Sequence, residues 1–358
     1  MQRSRGAVSG RKHLFSFCAV LSFILFLAPF ANAAGKSFKV TLLTEGTKSD
    51  VPNQLAIRGL QEASSLYFIQ TNVLNLREKF FFFPCETCRS PGRLNGLENN
   101  MSSASDLTIA NGFFFADLIA EAFQNSPHRK YAIVDLPLGL FFPELPSNLW
   151  SSDFAVEQPS FLAGYLSAGS SVTKIVATYG GIDIPPVTAF MHGFEQGVAY
   201  WNATQNDDVV VLPEQFADSF PDAFGFDAGL AIGTDLIQQG ADRIFPVAGF
   251  GPFGVLQAIH DQNVEGSVRM IGVDVDWALI SPENKALILT SVLKNFDRAV
   301  LDAVQWGLDQ NSGGKFYLGT LENGGTGLAP LNEEVQNFQG IMDSLTQSII
   351  QGDIVPLP

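Results

Sequence analysis

The side chains best suited to chemistry lie in one stretch of the chain, residues 269–297. An apolar run, Met270 to Val273, ends abruptly in Asp274 and, after Val275, in Asp276. A short run of this kind is typical of a buried parallel strand. Open α/β sheets bind ligands at the carboxyl ends of their strands, so Asp274 is a candidate ligand contact.

Lys294 is the second candidate, because its predicted position is electrostatically unusual. Thr290 or Ser291 can cap a helix that begins there, which places Lys294 in or near the first turn. The positive end of the helix dipole disfavours a cation at this point. The misfit indicates a ligand or an acidic partner, although a solvated lysine on an amphipathic helix explains the pattern equally well.

No familiar catalytic pattern occurs in the sequence. The chain contains no G-x-S-x-G nucleophile turn, no G-x-x-x-x-G-K-[ST] phosphate loop and no H-E-x-x-H zinc motif. Its few histidines do not follow predicted strands. These absences argue against an enzyme, and we predict neither catalysis nor a cofactor.

Strands and helices alternate along the chain and would position these residues. In the first half, Asn53 can cap a helix after the first strand, and a proline-rich connection, 136–154, suits a crossing between domains. The alternation predicts an α/β fold with two doubly wound lobes. Strands are predicted over 38–43, 68–76, 106–110, 130–134, 174–178, 209–212, 243–248 and 270–273.

Composition restricts the class of partner. The chain has 358 residues, 46% of them hydrophobic and 16% charged, which is enough apolar material for two packed cores. Its formal net charge is −15. Such an acidic protein is poorly suited to nucleic acid or to an anionic membrane surface, so we expect neither as a partner.

The N-terminus resembles an export signal. Basic residues precede an apolar run over 14–30, and Ala31-Asn32-Ala33 is a small-residue cleavage pattern. We predict a signal peptide over 1–33 and a soluble exported protein. The apolar run is short for a membrane span, and Cys18 lacks the small residues that a lipid-attachment site needs, so we do not expect a lipid anchor.

Two further cysteines, Cys85 and Cys88, form a C-x-x-C pair. In an oxidising compartment the pair predicts a local disulfide, with a redox or metal site as the alternatives. Four consecutive phenylalanines, Phe80 to Phe83, come just before it. They can pack beneath a loop pinned by the disulfide or line an aromatic cage.

Several longer motifs, in order, resemble the basic membrane protein family, the substrate-binding proteins of nucleoside-type ABC importers. The resemblance extends from about Lys39 to the C-terminus. The strings that carry it are EQPSFLAGYL (157–166), YGGIDIPPVTAFMHGFEQGVAY (179–200), DSFPD (218–222), QGADRIFPVAG (239–249), IGVDVDW (271–277), LTSVLKNFDRAV (289–300) and GGTGLAP (324–330).

The resemblance implies a type I periplasmic-binding-protein fold, in which three crossovers join two α/β lobes around a ligand cleft. The N-terminal lobe would comprise residues 36–140 plus about 277–315. The C-terminal lobe would comprise 141–276 plus about 316–358. Closure of the lobes around a ligand would then be the functional motion.

The resemblance also implies a set of polar ligand contacts. Asn53 and Gln54 match the family's F-N-Q motif, Asp274 its V-D strand end and Lys294 its T-S-x-x-K motif. Asp274 and Lys294 would bind ribose hydroxyls, because a carboxylate accepts two neighbouring hydroxyl donors and a lysine offsets its charge. Backbone groups at Gly249 and Gly251 would approach the sugar.

The aromatic and acidic contacts follow the family pattern less closely. The aromatic residue before the F-N-Q asparagine is here Pro52, so Phe113 or a ring among 80–83 would have to replace it. Phe220 would supply the other stacking ring. Either Glu157 or Gln158 matches the polar residue before the F-L-A-G motif.

The implied function is capture of a purine nucleoside and its delivery to an ABC permease in the inner membrane, by a monomer. The alternatives are a nucleobase, a flavin or another small polar ligand. A ligand sensor for a membrane receptor would have the same sequence features.

Overall fold

The computed structural model describes residues 37–45, 50–76, 105–140, 142, 144–213 and 224–358. The predicted signal peptide, the Cys85–Cys88 pair, Phe80 to Phe83 and Phe220 therefore lie outside the described residues. The described chain forms two six-stranded sheets with helices packed against them, which confirms the predicted two α/β lobes. None of the helices described is both long enough and apolar enough to cross a bilayer.

The first sheet has the strand order β11-β5-β4-β3-β1-β2, and its paired strands run parallel. With strands and helices numbered along the described chain, this lobe contains β1 (Phe38–Glu45), α1 (Val51–Leu66), β2 (Ile69–Leu76), β3 (Leu107–Asn111), α2 (Ala116–Asn125), β4 (Lys130–Val134), β5 (Leu149–Phe154), α8 (Phe296–Leu308) and β11 (Lys315–Gly319). Short 3₁₀ turns cover Phe113–Phe115 and Leu138–Leu140.

The second sheet has the order β12-β10-β9-β8-β6-β7, with only its edge strand β12 antiparallel to its neighbour. This lobe contains α3 (Glu157–Ser170), β6 (Ile175–Gly180), α4 (Pro185–Gln205), β7 (Val210–Leu212), α5 (Phe226–Gln238), β8 (Arg243–Val247), α6 (Gly251–Asp261), β9 (Arg269–Asp274), α7 (Trp277–Ile280), β10 (Ile288–Lys294), β12 (Thr326–Leu328) and α9 (Gln339–Gln351). Two 3₁₀ segments, Pro282–Leu287 and Glu333–Phe338, complete it.

Central strands of both sheets are buried along their whole length and consist mainly of apolar residues. Every residue of β3 and of β8 is buried, because helices cover both faces of each sheet. This is why the strands appear in the sequence as continuous apolar runs, and why polar residues mark the points where they end.

Three connections join the lobes: Ala155 and Val156 between β5 and α3, Asn295 between β10 and α8, and residues 320–325 between β11 and β12. Hydrogen bonds tie these connections to one another. The amide of Ala155 donates to the carbonyl of Gly319 at 2.8 Å, and the amide of Asn295 donates to the carbonyl of Gly325 at 2.9 Å. The three crossings therefore form one hinge.

Sheet membership divides the chain differently from the predicted boundaries. Strand β5, expected in the C-terminal lobe, pairs with β4 in the first sheet, so the first crossing comes at Ala155 instead of near residue 140. Strand β10, expected in the N-terminal lobe, pairs with β9 in the second sheet. Strand β11 pairs with β5 in the first. Strand β5 was not predicted because it lies within the proline-rich connection. Its residues Trp150 and Ser151 are buried, and the strand pairs with β4 and β11.

Helices α3 and α4 approach so closely that only glycine fits at their contact. A Cβ at Gly197 would overlap the carbonyl oxygen of Phe161, and one at Gly193 would overlap the backbone of Glu157. The close approach anchors the start of α3, which leads out of the hinge.

Gly197→Ala should therefore destabilise the protein, although alanine is the better helix former by about 1 kcal/mol. We expect a loss of about 1–3 kcal/mol in the free energy of unfolding, measured by urea denaturation, because backbone must move to admit the methyl group. Gly340→Ala in α9 is the matched control, since no atom lies within 4 Å of its added Cβ. Equal stability for the two variants would contradict the close-packing explanation.

Candidate ligand-binding site

The three crossings all leave the carboxyl ends of strands, namely β5, β10 and β11. The carboxyl ends of both sheets consequently meet at the hinge. This is the edge at which parallel α/β sheets bind ligands. The candidate residues at strand ends are thus brought to one region between the lobes.

Lys294 lies at the centre of this region. Its Nζ is 3.0 Å from Oδ1 of Asp135, which follows β4 in the first lobe, and 3.3 Å from Oδ1 of Asp274, which ends β9 in the second. Lys294 is only 5% exposed. We call Asp135, Asp274 and Lys294 the ion triad; it joins a carboxylate of each lobe through one ammonium group.

The predicted helix at Thr290 was wrong: residues Ile288–Lys294 form strand β10, and α8 begins only at Phe296. Both polar residues of the strand have distant partners. Thr290 Oγ1 donates to the carbonyl of Ala329 at 2.7 Å, and Ser291 Oγ accepts from the amide of Trp277 at 3.1 Å. Lys294 is therefore held by its carboxylate partners and not placed against a helix dipole.

Burial and charge act against each other within the ion triad. Burial raises the pKa of Asp135 to about 6, although Lys294 opposes the shift; Asp274 and Asp153 add repulsion. Burial also disfavours the charge on Lys294, but Asp135 and Asp274 outweigh it, so the lysine pKa is raised. The Lys294 Nζ lies 5.2 Å from the centre of the Phe190 ring, a favourable cation–π distance.

Two more carboxyl groups lie at the first crossing. Burial raises the pKa of Glu157, the first residue of α3, to about 7, and the charge of Asp153 contributes to the shift. Burial also raises the pKa of Asp153, while Lys294 lowers it. Acidic groups therefore outnumber the lysine here, which favours ligands that donate hydrogen bonds.

Asn53 is buried near the start of α1, 3% exposed. Its Oδ1 accepts a hydrogen bond from Nδ2 of Asn111 at 3.2 Å. Asn111 ends β3, the strand next to β4, and is itself 4% exposed. The pair therefore orients the Asn53 amide at the same strand-end edge as Asp135.

The other predicted contacts are placed in different ways. Gln54 is exposed, and Phe113, just after β3, is 40% exposed. Gln158 Oε1 accepts from the amide of Leu321 at 3.0 Å, so this side chain braces two crossings of the hinge. Gly249 has a φ of +49°, and Gly251 begins α6 at the end of β8.

Sequence reasoning missed Asp135, although a signal was present. Asp135 follows the apolar strand KYAIV just as Asp274 ends RMIGVD, and both residues have a φ of 64°. It also missed Asn111 and Phe190. Asn111 has the same strand-end position, at the end of LTIAN, whereas Phe190 lies within α4 and acquires its role from Lys294, a distant partner.

The arrangement is suited to holding a small ligand. Carboxylates and an ammonium meet where the three crossings join the two lobes, and the amides of Asn53 and Asn111 lie at the same strand-end edge of the first sheet. In the part of the chain that the structure describes, no group of three or more His, Cys, Asp or Glu side chains could hold a metal ion.

Two α/β sheets joined by three crossings define the type I periplasmic-binding-protein fold. Two solved ABC transporter solute-binding proteins share it. The one from Aeropyrum pernix K1 has a TM-score of 0.69 and 21% identity, covering 89% of this chain and 92% of that one. The one from Conexibacter woesei has a TM-score of 0.66 and 19% identity, covering 90% and 99%.

The chain belongs to the Bmp family of PnrA-like ABC transporter substrate-binding proteins, whose model matches residues 38–355. Basic membrane protein A of Borreliella burgdorferi is 30% identical over 322 residues, 88% of this chain and 87% of that protein. The family predicted from the sequence motifs is confirmed. ABC transporter substrate-binding proteins are extracytoplasmic, bind small molecules and act with a membrane permease.

Proposed function

We propose that the protein captures a purine nucleoside in the interlobe cleft and delivers it to an inner-membrane ABC permease, as a periplasmic monomer without catalysis. The observation that carries this proposal is the ion triad at the hinge. One ammonium holds a carboxylate from each lobe. A ligand bound there touches both lobes at once and can couple binding to closure.

Asp274 is suited to a ribose. Its side chain is 40% exposed, so a ligand can reach it, while Lys294 at 3.3 Å orients its carboxylate. A carboxylate held in this way accepts two neighbouring hydroxyl groups, and hydrogen bonds to a charged acceptor are stronger than neutral ones. The ribose of a nucleoside presents such a pair of hydroxyls.

The opposite lobe supplies groups suited to a base. Asn53 offers an oriented amide, and Phe113 an exposed ring for stacking. Planar rings and amides together favour a heteroaromatic base over a plain sugar. Glu157 at the start of α3 adds an acceptor for a further ligand donor.

A thermal-shift screen of protein that has been unfolded and refolded, to remove carried-over ligand, tests the proposal. The panel contains purine nucleosides, free bases, riboflavin and simple sugars. A ligand at a hundred times its dissociation constant adds about 2.7 kcal/mol of stability. We expect purine nucleosides to raise the melting temperature most. A shift with free bases alone would indicate that the ligand is a nucleobase and not a nucleoside.

Asp274→Ala should strongly weaken binding of ribosyl ligands and spare a free base. Loss of a hydrogen bond to a charged group weakens binding by about 1.5–3 kcal/mol, roughly ten- to a hundred-fold. Isothermal titration with a nucleoside and its base gives the two affinities. Asp343→Ala, an exposed aspartate of α9, is the control and should bind both normally. Equal losses for nucleoside and base would contradict the ribose assignment.

A further inference from the structure

Phe250 is a large apolar side chain that water reaches easily. It is 53% exposed and lies between the end of β8 and the start of α6. That loop belongs to the strand-end edge of the second lobe, the side on which Asp274 lies. A phenylalanine exposed at such a position forgoes the stabilisation that burial of its apolar surface would give.

The ring of Phe250 is supported from behind. It stacks on Phe253 at 6.4 Å with an interplanar angle of 21°, and Phe253 meets Trp277 edge to face at 4.8 Å. Trp277 is buried and donates from Nε1 to the carbonyl of Val273 at 2.9 Å. The three rings thus connect Phe250 to the strand that ends in Asp274.

The backbone around Phe250 is also held in place. Its amide donates to the carbonyl of Phe224 at 3.0 Å, and the amide of Gly251 donates to that of Ala248 at 2.6 Å. Gly249 takes a φ of +49°, which a glycine adopts without strain. A Cβ at Gly229 of α5 would overlap the backbone of Gly251. The ring therefore sits on a braced loop.

We propose that Phe250 is a specificity-determining residue, a stacking platform for the flat ring of the ligand on the second lobe. A supported, half-exposed ring at the strand-end edge that also carries Asp274 suits a ligand with a planar face on one part and hydroxyl donors on another. This inference rests on the proposed function and identifies the Phe250 ring as the group that stacks on the base.

Isothermal titration of wild type, Phe250→Ala and Phe250→Leu with a purine nucleoside and with ribose tests the proposal. Loss of a stacked base weakens binding about five- to a hundred-fold, so we expect a fall of at least about ten-fold with the nucleoside for both variants. Affinity for ribose should stay within two-fold. Phe68→Ala is the control: that ring is 71% exposed but precedes β2, at the sheet edge away from the hinge.

A second readout separates this inference from the proposed function. Phe250→Trp should show ligand-dependent quenching of its added fluorescence if a planar ring stacks there, whether the ring is a purine or riboflavin. Unchanged nucleoside affinity in Phe250→Ala would overturn the platform and leave the function standing. If no nucleoside binds wild type, quenching by riboflavin or a free base still supports the platform, and silence with every planar ligand overturns it.

Discussion

Lys294→Met is expected to lower the free energy of unfolding by about 3 kcal/mol at pH 7.5 and to abolish nucleoside binding. Removing one partner of a buried ion pair typically costs 3–5 kcal/mol, because the remaining charge stays buried without compensation. We expect a loss at the lower end of this range, because Asp274 is 40% exposed and water can solvate its charge. Asp135, at 14% exposure, accounts for most of the loss.

The loss should shrink as the pH falls. Without the lysine, Asp135 takes up a proton more readily in the folded state than in the unfolded chain. Lowering the pH therefore stabilises the folded state of the variant. Urea unfolding at pH 7.5 and pH 5.0 measures both effects. Lys285→Met, at an exposed lysine of the Pro282–Leu287 segment, should be close to wild type. A loss in Lys294→Met that did not change with pH would mean that Asp135 is not the uncompensated charge.

Asp135→Asn should remove part of the pH dependence of wild-type stability. The pKa of Asp135 rises from 3.8 to about 6 on folding, so between these values the folded protein holds a proton that the unfolded chain releases. Wild-type stability therefore falls as the pH rises through this window. By linkage the fall between pH 5 and pH 7 is about 1 kcal/mol for this group, and the asparagine variant should lack it.

Glu157 is expected to change the pH dependence of stability in the same direction as Asp135. Burial raises its pKa from 4.5 to about 7, so it too takes up a proton on folding and its contribution falls as the pH rises. The double variant Asp135→Asn, Glu157→Gln should accordingly show a flatter profile than either single variant. Urea midpoints at pH 5, 6 and 7 give the slopes. A wild-type profile that rises over this range would contradict the raised pKa values.

Most of the fold could be predicted from the sequence because the strands are covered on both faces. Such strands appear as apolar runs that stop at polar residues, and most of the predicted strands match observed ones within a few residues. Strands β5 and β10 are among those that were not predicted. Both carry polar residues, Ser151 in one and Thr290 with Ser291 in the other, that are buried only because the tertiary structure provides partners or cover.

The sequence by itself determined the family, the alternation that builds two lobes, and the strand-end position of Asp274. These features are local, since they depend on neighbours in the chain and on backbone periodicity. The tertiary structure alone decided which groups meet. Asp135 and Lys294 are separated by 159 positions yet lie 3.0 Å apart, because the chain crosses between lobes at Ala155, Asn295 and 320–325. Lys294 is buried at that crossing and pairs with both Asp135 and Asp274. No local sequence pattern encodes this burial.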